Sequence, residues 1–225
     1  MLLLEKLISL YAPYVCLGCG TECNTLLCEN CLAVLPAVPS RCYRCRAVTR
    51  EYAVCAACRP YVSLRAVGVA RYYDDMPKEL LHRAKYERAR SGLSEIAQDM
   101  AALLRFFPKD VVLVPVPTAS GRVRQRGYDQ AVVLAKELAR RHSIPVAQVL
   151  VRLGQAHQVG SGRKERLAHL KNAFRVVKPV SINKKHCVLV DDVLTTGATL
   201  ETAARILKKA GAKRVDAIVY AQAGT

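Results

Sequence analysis

Beyond residue 66, apolar residues recur along most of the chain at the spacing that is typical of strands or of helices. Val67–Tyr73 predicts a strand, and apolar residues three and four positions apart predict helices at Pro77–Tyr86 and Ser94–Phe107. Val111–Val116 is almost wholly apolar, which is typical of a strand covered on both faces. This part of the pattern predicts the order strand, helix, helix, strand.

The same alternation continues towards the end of the chain. Asp129 precedes apolar positions at helical spacing and can cap that helix, whose last turn carries the basic residues Arg140, Arg141 and His142. The remaining predicted elements are strands at Phe174–Val177, Cys187–Val190 and Val215–Tyr220 and a helix at Leu200–Lys209, closed by Gly211. Strands that alternate with helices predict an α/β domain with a mainly parallel sheet.

Composition agrees with one or two folded domains. The chain has 225 residues, of which 52% are hydrophobic and 24% charged, which is enough apolar material for a packed core and excludes wholesale disorder. No apolar run approaches the ~18–20 residues that cross a bilayer, so we expect no membrane insertion. Met1–Leu10 lacks a basic start and is interrupted by Glu5 and Lys6, which favours a short amphipathic helix over an export signal. We therefore expect a cytoplasmic protein.

Nine of the ten cysteines lie between Cys16 and Cys58. Eight of them form four C-x-x-C pairs, Cys16/Cys19, Cys28/Cys31, Cys42/Cys45 and Cys55/Cys58. Two such turns complete a tetrahedral site of four thiolates, the ligand type that Zn²⁺ favours. The spacing predicts two consecutive zinc ribbons with two structural zinc ions, joined by a proline-containing linker at residues 32–41.

Two other uses of these cysteines stay open. A disulfide framework needs an oxidising compartment, and nothing in the sequence directs export. A redox or iron–sulfur role is the remaining alternative. Cys23 lies outside the pairs and is either a packed thiol or an exchangeable ligand.

The charge is concentrated in the middle of the chain. The formal net charge is +17, and two centres of four thiolates and one Zn²⁺ would lower it to about +13. Residues 66–179 contain 21 basic and 10 acidic side chains, whereas residues 1–65 contain 7 and 4. A polyanion partner is therefore expected to meet the middle segment rather than the cysteine-rich one.

The most informative segment is Cys187–Leu200, CVLVDDVLTTGATL, in which a strand runs into two acids and then into a helix. Ligands bind at the carboxyl ends of strands in such sheets, and helix-opening amides bind phosphate. Gly197 permits close backbone approach, while Asp191 and Asp192 suit sugar hydroxyls or Mg²⁺. The loop adds three hydroxyl donors, Thr195, Thr196 and Thr199. The segment favours a ribose 5-phosphate site over an ordinary Asx turn at a helix start, and matches neither a P-loop nor a dinucleotide motif.

Val188–Leu200 resembles the 5-phosphoribosyl-1-pyrophosphate (PRPP) motif of type I phosphoribosyltransferases. Together with the cysteine pairs and the segments LLHRAKYERAR (80–90), VPVPTASGRVRQRGYDQAVVLAKELA (114–139) and ERLAHLKNAF (165–174), it resembles the ComF family of competence-associated proteins. The resemblance implies a double zinc-ribbon domain at residues 1–62 and a phosphoribosyltransferase-like α/β domain at residues 63–225.

The resemblance also implies roles for individual residues. Asp191 and Asp192 would hold the ribose hydroxyls and, if transfer occurs, would be the catalytic residues. Thr118 would face the pyrophosphate, which Mg²⁺ would neutralise. The 5-phosphate would be wrapped by Thr195, Thr196, Gly197, Ala198 and Thr199.

Further basic residues favour polyanion binding. Arg122, Arg124 and Arg126 alternate in a glycine-flanked loop that suits polyphosphate or a nucleic-acid backbone, unless it is a solvated surface loop. The resemblance places Lys85 in the active cleft, although helix-surface chemistry alone would leave it in solvent. Gly154–Arg166 is either a loop that closes over the site or an inert surface excursion.

Three hypotheses of function follow. The first is a competence protein that binds PRPP and single-stranded DNA during natural transformation, where the link to DNA uptake comes only from the resemblance. The second is an active phosphoribosyltransferase that uses Mg²⁺ and transfers ribose 5-phosphate to a nitrogen acceptor. The third is a PRPP-sensing adaptor whose ribbons dock a DNA-uptake helicase or channel protein.

Overall fold

A computed structural model of the chain describes residues 14–86, 90–153 and 173–224. The strands are β1 (Tyr14–Val15), β2 (Glu22–Cys23), β3 (Val67–Tyr72), β4 (Val111–Pro115), β5 (Leu150–Arg152), β6 (Phe174–Val176), β7 (His186–Leu194) and β8 (Arg214–Gln222). The α-helices are α1 (Glu29–Val34), α2 (Asp75–Tyr86), α3 (Arg90–Ala101), α4 (Ser120–Arg126), α5 (Gln130–His142) and α6 (Ala198–Lys209). Short 3₁₀ turns occupy Arg59–Tyr61, Ala102–Phe106 and Pro179–Ser181.

The predicted α/β domain is confirmed. Its central sheet has the strand order β3-β8-β7-β4, and every neighbouring pair in it is parallel. One face of the sheet packs against α2, α3 and α5, and the other packs against α6. Because side chains alternate between the two faces of a strand, Val188 and Val190 of β7 join the first core, and Cys187 and Leu189 join the second.

Several predicted boundaries need correction. The predicted helix Ser94–Phe107 is α3 followed by a 3₁₀ turn, and the first residues of the predicted linker 32–41 belong to α1. The predicted arginine loop is the helix α4, which Gly127 ends in the left-handed conformation (φ 80°) by donating its N–H to Val123 O at 2.8 Å. Gly121 and Gly127 suggested a loop, but Gly121 is the second residue of this seven-residue helix and Gly127 follows its last residue.

Several hydrogen bonds fasten the cysteine-rich segment to the α/β domain, and two of the sites involve carboxylates on its helices. The carboxylate of Glu95 on α3 accepts hydrogen bonds from Leu26 N at 2.8 Å and Leu27 N at 3.1 Å. Near the second cysteine group, Glu201 of α6 accepts from Ser63 N at 2.5 Å. The proposed boundary between residues 62 and 63 stays a prediction.

Two predictions fall on other parts of the chain. The helix expected at Met1–Leu10 and the covering loop expected at Gly154–Arg166 lie outside the described residues. Within the described ranges, no helix combines the length and apolar character that a membrane span requires.

Candidate functional site

A cleft of ≈590 Å³ opens where β4 and β7 end at the carboxyl edge of the sheet. It brings together seven of the residues that the sequence singles out, Lys85, Thr118, Arg122, Asp191, Asp192, Thr195 and Thr199. These residues come from α2, α4, the β4–α4 connection and the β7–α6 region, so only the tertiary fold makes them neighbours. The cleft is therefore the candidate ligand site.

Asp192 lies at the centre of a polar network on the floor of the cleft. Its side chain is buried, and its Oδ2 contacts Lys85 Nζ and accepts a hydrogen bond from Gln130 Nε2 at 2.5 Å. Its Oδ1 accepts from Val193 N at 2.8 Å. The network positions the carboxylate rigidly, and it places Lys85 inside the cleft rather than in solvent.

The pKa values of the two neighbouring acids are shifted in opposite directions. Burial, followed by the adjacent charge of Asp192, raises the pKa of Asp191 well above its ordinary value. Burial also opposes ionisation of Asp192, but the attraction of Lys85 and its hydrogen bond lower the pKa of that carboxyl overall. Asp192 therefore ionises more readily than Asp191, and a cation bound nearby would favour the ionised form of Asp191.

The loop between β7 and α6 offers backbone donors to an anion. Gly197 adopts the left-handed conformation (φ 75°), and α6 begins at the next residue. Within the described residues, the N–H groups of Thr195, Thr196 and Gly197 have no hydrogen-bond acceptor. Free amides at the start of a helix attract phosphate, so the geometry suits a 5-phosphate group.

Tyr43, from the second cysteine group, packs against this loop. A β-carbon added to Gly197 would meet Cε2 of Tyr43 at 2.8 Å, so only glycine fits under the ring. The hydroxyl of Tyr43 donates to Glu201 Oε2 at 3.2 Å. Tyr43 lies between Cys42 and Cys45, and the cysteine-rich segment therefore touches the candidate phosphate loop directly.

The opposite wall of the cleft is held by Asp129. Its carboxylate accepts from Thr118 N at 3.0 Å, from Thr118 Oγ1 at 3.1 Å and from Ala131 N at 3.1 Å. The predicted N-cap of α5 is thus confirmed, and it also fixes Thr118. Tyr128 is buried and donates its hydroxyl to Ala84 O, which makes it a core residue.

The three arginines of α4 have different surroundings. Arg122 lines the cleft, whereas Arg124 is exposed and does not line it. Arg126 is half-buried and donates to Gln130 Oε1, the residue that holds Asp192. Sequence reasoning missed Gln130 and Tyr43, because nothing in their local pattern signals a contact with a distant loop.

The eight paired cysteines form two groups. The Sγ atoms of each group lie within 4.8 Å of one another, in the sets Cys16, Cys19, Cys28, Cys31 and Cys42, Cys45, Cys55, Cys58. The Cys19–Cys28 and Cys45–Cys55 sulfur separations are 3.8 Å and 3.5 Å, and a tetrahedron of sulfurs around Zn²⁺ needs about 3.8 Å. The residues fit two zinc ions in the predicted pairing.

Backbone donors favour the thiolate form of Cys16, the buried cysteine of the first group. Burial opposes ionisation of Cys16, but N–H donors, among them Cys28 N at 3.3 Å and Gly18 N at 3.4 Å, lower its pKa to about 6. None of the ten cysteines is joined in a disulfide. Cys23 belongs to neither group, and its Sγ donates to Thr25 O at 3.0 Å.

Elemental analysis of the purified protein should find two zinc ions per chain. Each group supplies four thiolates, and a structural zinc site of this kind has a binding free energy on the order of 10 kcal/mol at neutral pH. Replacing Cys16 and Cys19 by Ser should lower the content to one. A wild-type content of one ion or none would contradict the paired assignment.

Comparison with known proteins gives consistent matches. Residues 128–225 match the family described as phosphoribosyl transferase domain. Competence protein ComFC of Bacillus subtilis (strain 168) is 30% identical over 221 residues, covering 88% of this chain and 90% of the relative. DNA utilization protein YhgH of Salmonella typhimurium is 32% identical over 209 residues, covering 84% and 87%. Among solved structures, the allosteric regulatory enzyme of purine biosynthesis aligns over 57% of this chain and 26% of its own, with 19% identity and a TM-score of 0.42.

Proposed function

The chain belongs to the ComF family of competence proteins, and from that premise we propose that it binds PRPP and single-stranded DNA during DNA uptake. The observation that carries the PRPP part is the cleft that Asp191, Asp192, Thr195 and Thr199 line together at the start of α6. The relatives are competence and DNA utilization proteins, which supports the part concerning DNA. The proposed place of action is the cytoplasm.

Each part of PRPP has a complementary group in the cleft. The 5-phosphate would accept hydrogen bonds from the amides of Thr195, Thr196 and Gly197. The ribose hydroxyls would donate to the carboxylates of Asp191 and Asp192. The residues that would make these contacts belong to one continuous stretch of chain, the end of β7 and the loop before α6.

The pyrophosphate would meet the cationic wall of the cleft. Thr118 is held by Asp129, and Lys85 and Arg122 line the same cavity. Two adjacent carboxylates are oxygen ligands of the type that Mg²⁺ prefers, so the donor set fits the ion. Mg²⁺, when bound with PRPP, would neutralise the pyrophosphate and favour its departure.

Phosphoribosyl transfer is the second candidate function, favoured by the match of residues 128–225. In that reaction the bond from ribose C1 to pyrophosphate breaks, and a nitrogen nucleophile attacks C1. The protein would orient PRPP and stabilise charge in the transition state, without a covalent nucleophile. Pyrophosphate release from PRPP, measured with and without single-stranded DNA, tests this, and release above the rate of the Asp191→Asn variant would support turnover.

Single-stranded DNA should bind with a strong salt dependence. The logarithm of affinity should fall against the logarithm of salt concentration by about 0.7 for each phosphate neutralised. Exchanging Arg122, Arg124 and Arg126 for Ala should reduce that slope by up to about 2 if all three meet phosphates. Fluorescence anisotropy with labelled oligo-dT, across a NaCl series, measures both quantities.

The control replaces three exposed lysines elsewhere, Lys78, Lys109 and Lys136, by Ala. This variant loses the same charge as the arginine variant, and the salt dependence of its DNA affinity should stay close to that of the wild type. Equal slopes for wild type and the arginine variant would remove α4 from the DNA interface. The arginine variant should also bind PRPP more weakly, because Arg122 lines that cleft.

A further inference from the structure

A second cavity, of ≈690 Å³, has an almost wholly cationic lining. Among the described residues, its wall is lined by Ala53 and five basic residues, Arg59, Arg65, Lys208, Lys213 and Arg214, and we call it the basic cleft. Arg59 and Arg65 come from the segment around the second cysteine group. The other three come from the end of α6 and the start of β8.

The basic cleft lies away from the candidate PRPP site. Arg214 begins β8 and is paired in register with His186, the first residue of β7. Asp191 and Asp192 lie five and six residues further along β7, or roughly 17–20 Å at the usual strand rise. The basic cleft is therefore at the amino edge of the sheet, and the PRPP cleft is at the carboxyl edge.

Among the described residues, four of the five cations of the basic cleft have no carboxylate partner. Arg214 pairs with buried Asp216 at 2.9 Å, and Asp216 also contacts His186 Nε2 at 2.5 Å. In the part of the chain that the structure describes, the remaining four form no salt bridge: Arg59, Arg65, Lys208 and Lys213. Like charges that share a cavity repel one another, and a bound polyanion relieves that repulsion while releasing its own counterions.

An exposed aromatic residue, Tyr61, shares a 3₁₀ turn with Arg59 of the basic cleft. Tyr61 lies two residues after Arg59 and is 74% exposed. The guanidinium of Arg44 lies 5.7 Å from the centre of that ring, and Arg44 Nη1 donates to Tyr61 O at 3.2 Å. A ring supported on one face by arginine and open to solvent is a platform on which an unpaired base can stack.

We propose that the basic cleft binds the phosphodiester backbone of single-stranded DNA, with one base stacked on Tyr61. This rests on the proposed function and assigns a binding surface that is separate from α4. The basic cleft contains five cations, contributed by the ribbon segment, the end of α6 and the start of β8. One phosphate group needs fewer cations than this, so the lining favours an extended polyanion. The accessible ring favours a single strand over a duplex, whose bases are already stacked.

The test compares two double variants of equal charge by anisotropy with labelled oligo-dT of 20 nucleotides. Lys208→Gln with Lys213→Gln changes the basic cleft, and Lys109→Gln with Lys136→Gln changes two exposed lysines elsewhere. The cleft variant should lower the salt slope by about 1.4, or 0.7 for each of two phosphates, and weaken binding about tenfold at 0.1 M NaCl. The control should change affinity less than about twofold.

Three readouts separate the possible outcomes. Calorimetric PRPP binding by the cleft variant should equal that of wild type, which shows that the protein has folded. If both double variants lost DNA affinity equally, the assignment would be overturned, because the loss would then reflect the total charge of the protein and not the basic cleft. If the wild-type protein bound PRPP but no oligonucleotide, that result would also contradict the part of the proposed function that concerns DNA.

A second comparison tests the aromatic platform. Tyr61→Ala should weaken oligo-dT binding about five- to a hundredfold, the range expected for losing one stacked base, and leave binding of inorganic polyphosphate unchanged. Tyr61→Phe should retain DNA binding, because stacking needs the ring and not the hydroxyl. Equal weakening for DNA and polyphosphate, or tighter binding of duplex than of oligo-dT, would contradict a single-strand site.

Discussion

Replacing both Asp191 and Asp192 by Asn should abolish Mg²⁺-dependent PRPP binding. Asn keeps the shape of each side chain but removes the charge that attracts the metal ion, and it replaces one of the two acceptor oxygens of each carboxylate by an amide donor. It also leaves Lys85 without the carboxylate that it contacts in the cleft. We expect the affinity measured by calorimetry to fall more than about a hundredfold, since charge-assisted contacts to the sugar and to the metal are lost together.

The single variant Asp191→Asn distinguishes lost binding from lost folding. The pKa of Asp191 is raised in the folded protein by burial and by Asp192, so folding favours its protonated form. Its ionisation therefore destabilises the fold as pH rises from the unfolded pKa towards the folded one. At neutral pH the variant should unfold at a temperature equal to or above that of wild type, while its PRPP affinity falls.

The same raised pKa gives a dependence on pH. Mg²⁺ and PRPP need the ionised carboxylate, so affinity should weaken as pH is lowered into the range where Asp191 takes up a proton. Asp110→Asn changes an exposed acid outside the cleft and is the matched control. Wild-type affinity in the Asp191/Asp192 double variant would remove the acid pair from the ligand site.

Loss of zinc from the second cysteine group should weaken PRPP binding, although no cysteine lines the cleft. Cys42 and Cys45 flank Tyr43, whose ring packs on Gly197. Replacing both cysteines by Ser should lower the zinc content from two to one and release that ring. The phosphate loop would lose its support, and we expect PRPP affinity to fall about ten- to a hundredfold, since small displacements of positioning contacts have effects of this size.

Three variants locate the cause of that loss. Tyr43→Ala should reproduce it with both zinc ions retained, and Tyr43→Phe should preserve most of the affinity, because the ring remains and only the hydrogen bond to Glu201 is lost. Cys16→Ser with Cys19→Ser removes the other zinc site, which is fastened to α3 through Glu95, and should leave PRPP affinity close to wild type. If both cysteine variants lost affinity equally, general unfolding would replace the Tyr43 contact as the explanation.

Local patterns in the sequence were sufficient for the main features of the fold. Alternating strands and helices predicted the parallel sheet, because each strand is covered by helices that carry their own apolar period. The C-x-x-C spacing predicted both cysteine groups, since each pair of ligands lies on one tight turn. The order of acids, threonines and glycine predicted the loop before α6 because strand, ligand loop and helix start are contiguous in the chain.

Features that depend on distant contacts were not predictable in this way. Tyr43 is 158 positions from Glu201, and neither residue has a local pattern that indicates the contact. The antiparallel pair β5 and β6 has three residues in each strand, too few for a periodic signal, and sequence analysis missed β5. The number of charged residues indicated that the excess positive charge lies in residues 66–179. The basic residues of the basic cleft instead precede or follow that segment in the chain.

A crystal structure of the protein grown with PRPP and Mg²⁺ would decide whether the cleft at the carboxyl edge of the sheet holds an activated sugar. We expect the 5-phosphate to accept hydrogen bonds from the amides of residues 195–197 and the ribose hydroxyls to contact Asp191 and Asp192. An empty cleft at saturating PRPP, or a sugar phosphate bound elsewhere on the chain, would contradict the proposed ligand site.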